Sequence, residues 1–183
     1  NQMINNLIAP RQLWRTPYSM VLDEAHALED VVRDELAIKI VFNEMERIIK
    51  ELQANSIDAR DLKAHINKLK TAIKQLVERT EYTTRLSIKV SNEIYDHLNL
   101  LTKELCNLSQ SVMIKADIVY EQRKKNLAKR LEELAERCNS AYEQVKRFSE
   151  DRTDNNSITW MDYKPFSLVK APFNIGQFLR DNI

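Results

Sequence analysis

The sequence predicts a mainly α protein, a long antiparallel helical bundle set between two ends of different construction. Glycine and proline supply the first observation. The only glycine is Gly176 and the prolines are Pro10, Pro17, Pro165 and Pro172, so nothing from Tyr18 to Lys164 carries either residue. Both residues end helices and shape turns, and their absence over so long a stretch favours long helices joined by polar turns. The second observation is periodicity, with three stretches that space apolar residues at three and four. The third is composition: in 183 residues, 43% are hydrophobic and 30% charged, which permits a real core and argues against wholesale disorder.

Taken in order, residues 1–17, NQMINNLIAPRQLWRTP, mix short apolar pieces with breakers and read as irregular or briefly helical. Tyr18–Leu22, YSMVL, is short, mostly apolar and bounded by proline and acid, the pattern of a buried strand. A helix follows from near His26, with Leu28, Val31 and Val32 on one side, and the pattern through Ala37–Val41 is ambiguous. Met45, Ile48, Ile49 and Leu52 restore a helical spacing. The stretch ANSIDARD breaks it, and Asp58 or Ser56 is placed to cap the next helix.

That helix carries Leu62, Ile66, Leu69, Ile73 and Leu76 at intervals of four, three, four and three, a coiled-coil-like seam. A boundary is expected at Thr80–Thr84. A second stripe runs through Leu86, Val90, Ile94, Leu98, Leu101, Leu105 and Leu108. A third, over Met113–Phe148, uses Leu127, Leu131, Leu134, Cys138, Ala141, Val145 and Phe148. No single amphipathic helix can bury its own apolar face, so the three stripes need one another. Short polar connections make antiparallel packing the expectation. After EDRTDNNS the pattern changes: SITWMDY alternates like a strand, FSLVKAP reads as a second strand stopped by Pro172, and FNIGQFLRDNI as a short helix interrupted by Gly176.

Several function classes recede on composition alone. No run approaches the ~18 apolar residues of a membrane span, and no basic-then-apolar leader is present, so a cytoplasmic protein without membrane contact is expected. Cys106 and Cys138 form no CxxC pair and read as reduced helix-face cysteines. His65 and His97 stand on helices without ligands at metal spacing. The formal net charge of +1 neither demands nor excludes nucleic acid, because recognition depends on local patches. The densest basic patch is RKKNLAKR, with Arg123, Lys124, Lys125, Lys129 and Arg130; it could grip phosphates, or it could be a solvated face paired with Glu132, Glu133 and Glu136. Tyr82, Tyr95, Tyr120 and Tyr142 could stack on bases, but at this density cap a bundle core.

The stretch YSMVLDEAH carries the chemistry. An apolar strand ending in Asp23-Glu24 is a sound place for nucleotide hydrolysis, because ligands gather at the carboxyl ends of strands in open sheets. Asp23 can hold Mg2+ through its water shell, and Glu24 can orient or deprotonate the water that attacks the terminal phosphate. The competing account is an acidic helix start, with Asp23 as cap and Glu24 favoured by the helix dipole.

YSMVLDEAHALED resembles the second ATPase motif of superfamily 2 DNA helicases of the XPD/DinG group, in which an apolar strand runs into DEAH and then Leu-Glu-Asp. The upstream INNLIAPRQL is similar to the segment that leads those proteins into the same strand, with Asn5 or Asn6 at its asparagine. ITWMDYKPFSLVKAPFNIGQFLRDNI is similar to their return to the first motor domain. Between these landmarks the family inserts a helical arch. The resemblance therefore implies residues 1–36 as part of the first motor domain, a small α/β remnant of a P-loop helicase fold. It implies 37–156 as an arch-like helical domain and 157–183 as the return.

It further implies ATP and Mg2+ as cofactors of the intact parent and single-stranded DNA as its partner. Translocation would run 5'-3', with ATP hydrolysis coupled to unwinding, in the cytoplasm (at the nucleoid in a bacterium). Asp23, Glu24 and His26 would be the catalytic set, His26 coupling the nucleotide site to its neighbour, and proteins could dock on the arch. Trp160 is expected beneath the sheet rather than on DNA. The chain opens Asn1-Gln2 and holds no GxxxxGK[ST], no Ser-Ala-Thr motif and no second motor domain. It thus reads as a middle piece, inactive by itself. The family's four-cysteine iron–sulfur segment lies upstream of DEAH, so a cluster in the parent would not be held here. Two further readings stay open: a helical nucleic-acid-binding or protein-docking module without catalysis, and a structural coiled-coil protein.

Overall fold

The structure is a computed structural model that describes residues 28–77, 85–87, 91–150, 157–163, 166–172 and 174. The fold is mostly helical with a small sheet. In chain order its described elements are α1 (Leu28–Leu36), β1 (Ile38–Val41), α2 (Phe42–Ala54), α3 (Arg60–Val77), β2 (Arg85–Ser87), α4 (Asn92–Glu121), α5 (Lys125–Glu150), β3 (Ser157–Tyr163) and β4 (Phe166–Pro172). Two compact units are distinguished. The larger holds Ile38–Thr153 and Thr159–Val169; the smaller holds residues 1–37, 154–158 and 170–183. Tyr18–Leu22 and the helix expected after Phe173 lie outside the described residues, as does the boundary at Thr80–Thr84.

The sheet has the order β1-β4-β3-β2. Strand β2 pairs antiparallel with β3, with Arg85 opposite Asp162, Leu86 opposite Met161 and Ser87 opposite Trp160. Only two residues separate β3 from β4, too few for the crossover that parallel neighbours need, so this pair is antiparallel as well. The ambiguous Ala37–Val41 stretch resolves into β1. Its IKIV sequence is β-branched at three of four positions and buries Ile40, which suits a pleated surface. In β4 everything from Ser167 to Ala171 is buried, so the strand is covered on both faces and no alternation survives. Trp160 is buried, as expected, and donates its indole N–H to Asp162 Oδ1 at 3.1 Å.

The helices follow their stripes. Helix α2 buries Phe42, Met45, Ile48, Ile49 and Leu52. It ends where the Asn55 side chain donates to the Glu51 carbonyl at 2.8 Å and Ser56 takes φ 55° in the left-handed region. Of the two capping candidates for α3, Asp58 serves: its Oδ1 accepts the Arg60 N–H at 3.0 Å. Ser56 terminates the preceding helix instead. Leu62, Ile66, Leu69 and Ile73 of α3 are all buried.

The longest helices differ from the sequence reading at their ends. Leu86, expected on the second helical stripe, belongs to strand β2, and α4 begins only at Asn92, where the Ser91 hydroxyl accepts from the Ile94 N–H at 3.4 Å. The break expected before Met113 is absent. Helix α4 runs 30 residues, through Val112, Ala116 and Val119, all buried, and turns at Gln122–Lys124. The extra turns keep the three-and-four spacing with smaller residues, which made the stripe look finished at Leu108. The turn uses Arg123 at φ 62°, left-handed backbone borne without glycine.

Helices α4 and α5 form a hairpin that is the most extensive packing among the described elements. The Ser109 hydroxyl donates to the Ala135 carbonyl across it at 3.1 Å, which fixes the antiparallel register. Leu131, Leu134, Cys138, Ala141, Val145 and Phe148 of α5 are buried as the stripe required. Leu127 is not: it is exposed, because it lies in the first turn of α5, where none of the described residues covers the hairpin end. Helix α3 packs on α4, and α2 on α3 and α5. Because Leu105 is fully buried midway along α4, Leu105→Ala should lower stability by roughly 2–5 kcal/mol, read as a lower urea midpoint with unchanged slope.

Candidate functional site

The residues expected to perform phosphoryl chemistry, Asp23, Glu24 and His26, lie outside the described residues. The nearest described element is α1, nine residues beginning at Leu28, whose Val32 is buried and whose Asp34 and Glu35 are exposed. The apolar side foreseen for this helix is present at Val32.

The basic run is described in full, and it lies at the α4–α5 turn. Arg123 and Lys124 are in the turn, Lys125 opens α5, and Lys129 and Arg130 follow; all five are exposed. At about 100° per residue, Lys125 and Lys129 share one face of α5, while Arg130 points about a quarter-turn round from Lys129. The structure therefore brings Arg123, Lys124 and Lys125 to one end of the hairpin and spreads the other two along the helix. None of the five forms an ion pair with a described residue. The first turn of α5 contains no acid and opens on Lys125, which opposes the positive end of that helix's dipole, whereas Arg123 and Lys124 follow the C-terminus of α4, where cations are favourable.

Apolar side chains gather at the same end. Met113, Ile114, Ile118, Tyr120 and Leu127 are exposed, and of the large exposed hydrophobics among the described residues only Leu100 lies elsewhere. Tyr120 thus departs from the expected core-capping role, which Tyr95, buried on α4, and half-buried Tyr142 do fill. The sequence carried a signal for this patch. In MIKADIVY, Ile114 and Ile118 stand four apart but off the buried spacing Val112–Ala116–Val119.

Other charged groups link the helices. Lys70 of α3 pairs with Glu46 of α2, and its ammonium lies 5.6 Å from the centroid of the Phe42 ring. The Lys70 hydrogen bond holds the Glu46 carboxyl below its usual range. Arg137 of α5 reaches Glu51 of α2 at 2.5 Å, and Lys115 of α4 donates to the Asn55 carbonyl at 2.5 Å. His65 and His97 stand apart on α3 and α4, each with a buried Nδ1 that lacks a partner. No group of three or more His, Cys, Asp or Glu among the described residues could hold a metal ion. Cys106 is half-buried and Cys138 fully buried, both as free thiols.

No described helix is long and apolar enough to cross a membrane. The sequence matches no protein-family model and no curated protein.

Burial pushes the Cys138 thiol up from 9.0 to about 11. The unfolded chain loses this proton near 9.0 and the folded chain near 11, so between those values the folded state holds one proton more. Its contribution is complete below 9.0 and falls by about 1.4 kcal/mol per pH unit until the folded thiol ionises. The urea midpoint should therefore decline more steeply between pH 9 and 11 in the wild type than in Cys138→Ala.

Proposed function

We propose that the chain is part of an ATP-dependent DNA helicase of the XPD/DinG kind, contributing the DEAH motif and an arch-like helical insertion. The observation that carries this reading is the motif in its setting. YSMVLDEAHALED is followed by a mostly helical block whose first strand, β1, meets β3 and β4 at its end in one sheet that also takes in β2 from within the block. A helical block whose two ends meet is what an insertion requires.

In this reading Asp23 anchors Mg2+ through its water shell, Glu24 aligns and deprotonates the attacking water, and His26 passes the state of the nucleotide to the neighbouring motif. The acidic pair neutralises no phosphate charge by itself. The triphosphate cradle and the arginine that completes it must come from other parts of the protein, since no GxxxxGK[ST] occurs in these residues. The basic run Arg123–Arg130 supplies contacts to the backbone of a single strand, independent of base sequence and weakened by salt. A protein-docking role for the helical block is the second reading, favoured by the exposed apolar side chains at the hairpin end.

In the intact parent, Glu24→Gln should abolish ATP turnover while nucleotide binding persists, because the substitution removes the base and leaves the phosphate cradle. Turnover that survives Glu24→Gln would end the helicase assignment. The 183-residue chain alone should show no ATPase activity. For DNA, Lys124→Glu with Lys125→Glu should weaken single-strand binding about equally across sequences. It should also flatten the dependence of log K on log salt by about 1.4, the slope for two lost phosphate contacts on a single strand. Unchanged affinity and slope would remove the tip from the DNA path.

A further inference from the structure

The end of the α4–α5 hairpin combines three features found together nowhere else among the described residues. Large apolar side chains stand in water: Ile114 is 61% exposed, Tyr120 57%, Ile118 50%, Met113 42% and Leu127 37%. Acids stand beside them, Asp117 three residues after Ile114 and Glu121 three after Ile118, on the same side of α4. Cations follow within a turn, Arg123, Lys124 and Lys125. Neither acid has an ion-pair partner among the described residues, and neither do the three cations.

We infer that this tip is a self-association surface, on which a second copy of the chain docks about a two-fold axis. Charge complementarity selects that occupant. A nucleic-acid strand or an anionic bilayer would match the cations, but its phosphates would repel Asp117 and Glu121. A strand would also leave Ile114 and Ile118 without apolar partners, and a bilayer would force two short carboxylates out of water beside them. A second copy offers both signs and the apolar centre at once. A two-fold operation sets the acidic side of one tip against the basic side of the other, as isologous interfaces require. Glu121 at the end of α4 and Lys125 at the start of α5, each on the unfavourable end of its own helix dipole, are then met by the partner's opposite charges. The patch is small, so association is weak and reversible, at the low end of specific interfaces. The ATPase assignment can stand beside this surface, but the DNA contacts proposed above for Lys124 and Lys125 compete with it, and the test separates the two.

Sedimentation of the 183-residue chain across protein concentration tests it. The wild type should pass from monomer to dimer between about 1 μM and 1 mM, the range of weak dissociation constants. Ile114→Asp with Ile118→Asp should raise the dissociation constant at least ~10-fold without changing the circular dichroism, since both side chains are outside the core. Lys124→Glu with Lys125→Glu should weaken association, and so should Asp117→Lys with Glu121→Lys. An equimolar mixture of these two charge-reversed variants should dimerise again, because each presents what the other lacks. A wild type that stays monomeric throughout overturns the inference, and so does failure of the mixture to associate while the apolar variant behaves as the wild type. If the monomer instead binds single-stranded DNA, or vesicles of anionic phospholipid, and loses that binding in the double lysine reversal, the tip belongs to those phosphates. Self-association of the wild type that the double lysine reversal weakens, with DNA affinity unaltered by that reversal, supports the inference and places the DNA path elsewhere.

Discussion

The seam between α4 and α5 is the constraint on which the other described elements of the larger unit depend. Two helices of 30 and 26 residues lie antiparallel and close on each other through Leu98, Leu101, Leu105, Leu108, Val112 and Ala116 on one side. Leu131, Leu134, Cys138, Ala141 and Val145 answer from the other. A helix of such length is marginal in water without a partner, since its stability comes from burying an apolar face rather than from propensity. Every fully buried leucine or isoleucine on the seam contributes on the order of 1.5–3 kcal/mol. That dwarfs the exposed ion pairs Arg47–Glu44 and Arg60–Asp58, whose attraction water and salt screen.

Helix α2 takes its position from that seam and then ties the other parts to it. It meets α5 through Arg137 and Glu51, α3 through Lys70 and Glu46, and α4 through the Lys115 ammonium on the Asn55 carbonyl. These contacts are partly exposed and are better regarded as fixing register than as supplying stability. The link to the sheet is aromatic. The Phe42 ring lies 4.9 Å from that of Phe166 at the start of β4, with the Lys70 ammonium over its other neighbourhood at 5.6 Å. Stacked and tilted ring pairs of this kind contribute about 0.5–1.5 kcal/mol beyond their burial. Phe42 is therefore shared between the helical layer and the strand.

Chemistry and scaffold are separated along the chain. The residues proposed for catalysis stand in the DEAH stretch, whereas the helical block holds free thiols, two separate histidines and ion pairs between helices. Most of the large apolar side chains that stand in water among the described residues gather at one end, beside the unpaired charges of Asp117, Glu121 and Lys125. A surface that departs from both rules of local consistency is where a binding role is expected, because the cost is tolerated only when something else offsets it.

The sequence by itself determined the helical class, the core faces of α2, α3 and α5, the break at Asn55–Ala59 and the two strands at Trp160 and Leu168. Period and punctuation are local properties, written into residues three, four or two apart. It also determined the DEAH motif, which depends on residue identity and not on contacts. Only the tertiary structure decided the rest. Ile38–Val41 became a strand because β4 lay ready to pair with it, and Leu86 left the helical pattern because it found a partner in Met161. Leu127 and Tyr120 match buried positions in spacing and yet stand in water, since burial requires a neighbouring element and none of the described residues covers the hairpin end. A period states which face is apolar. Whether that face is covered depends on where the chain turns, and Gln122–Lys124, with neither glycine nor proline, gave no local sign of turning there.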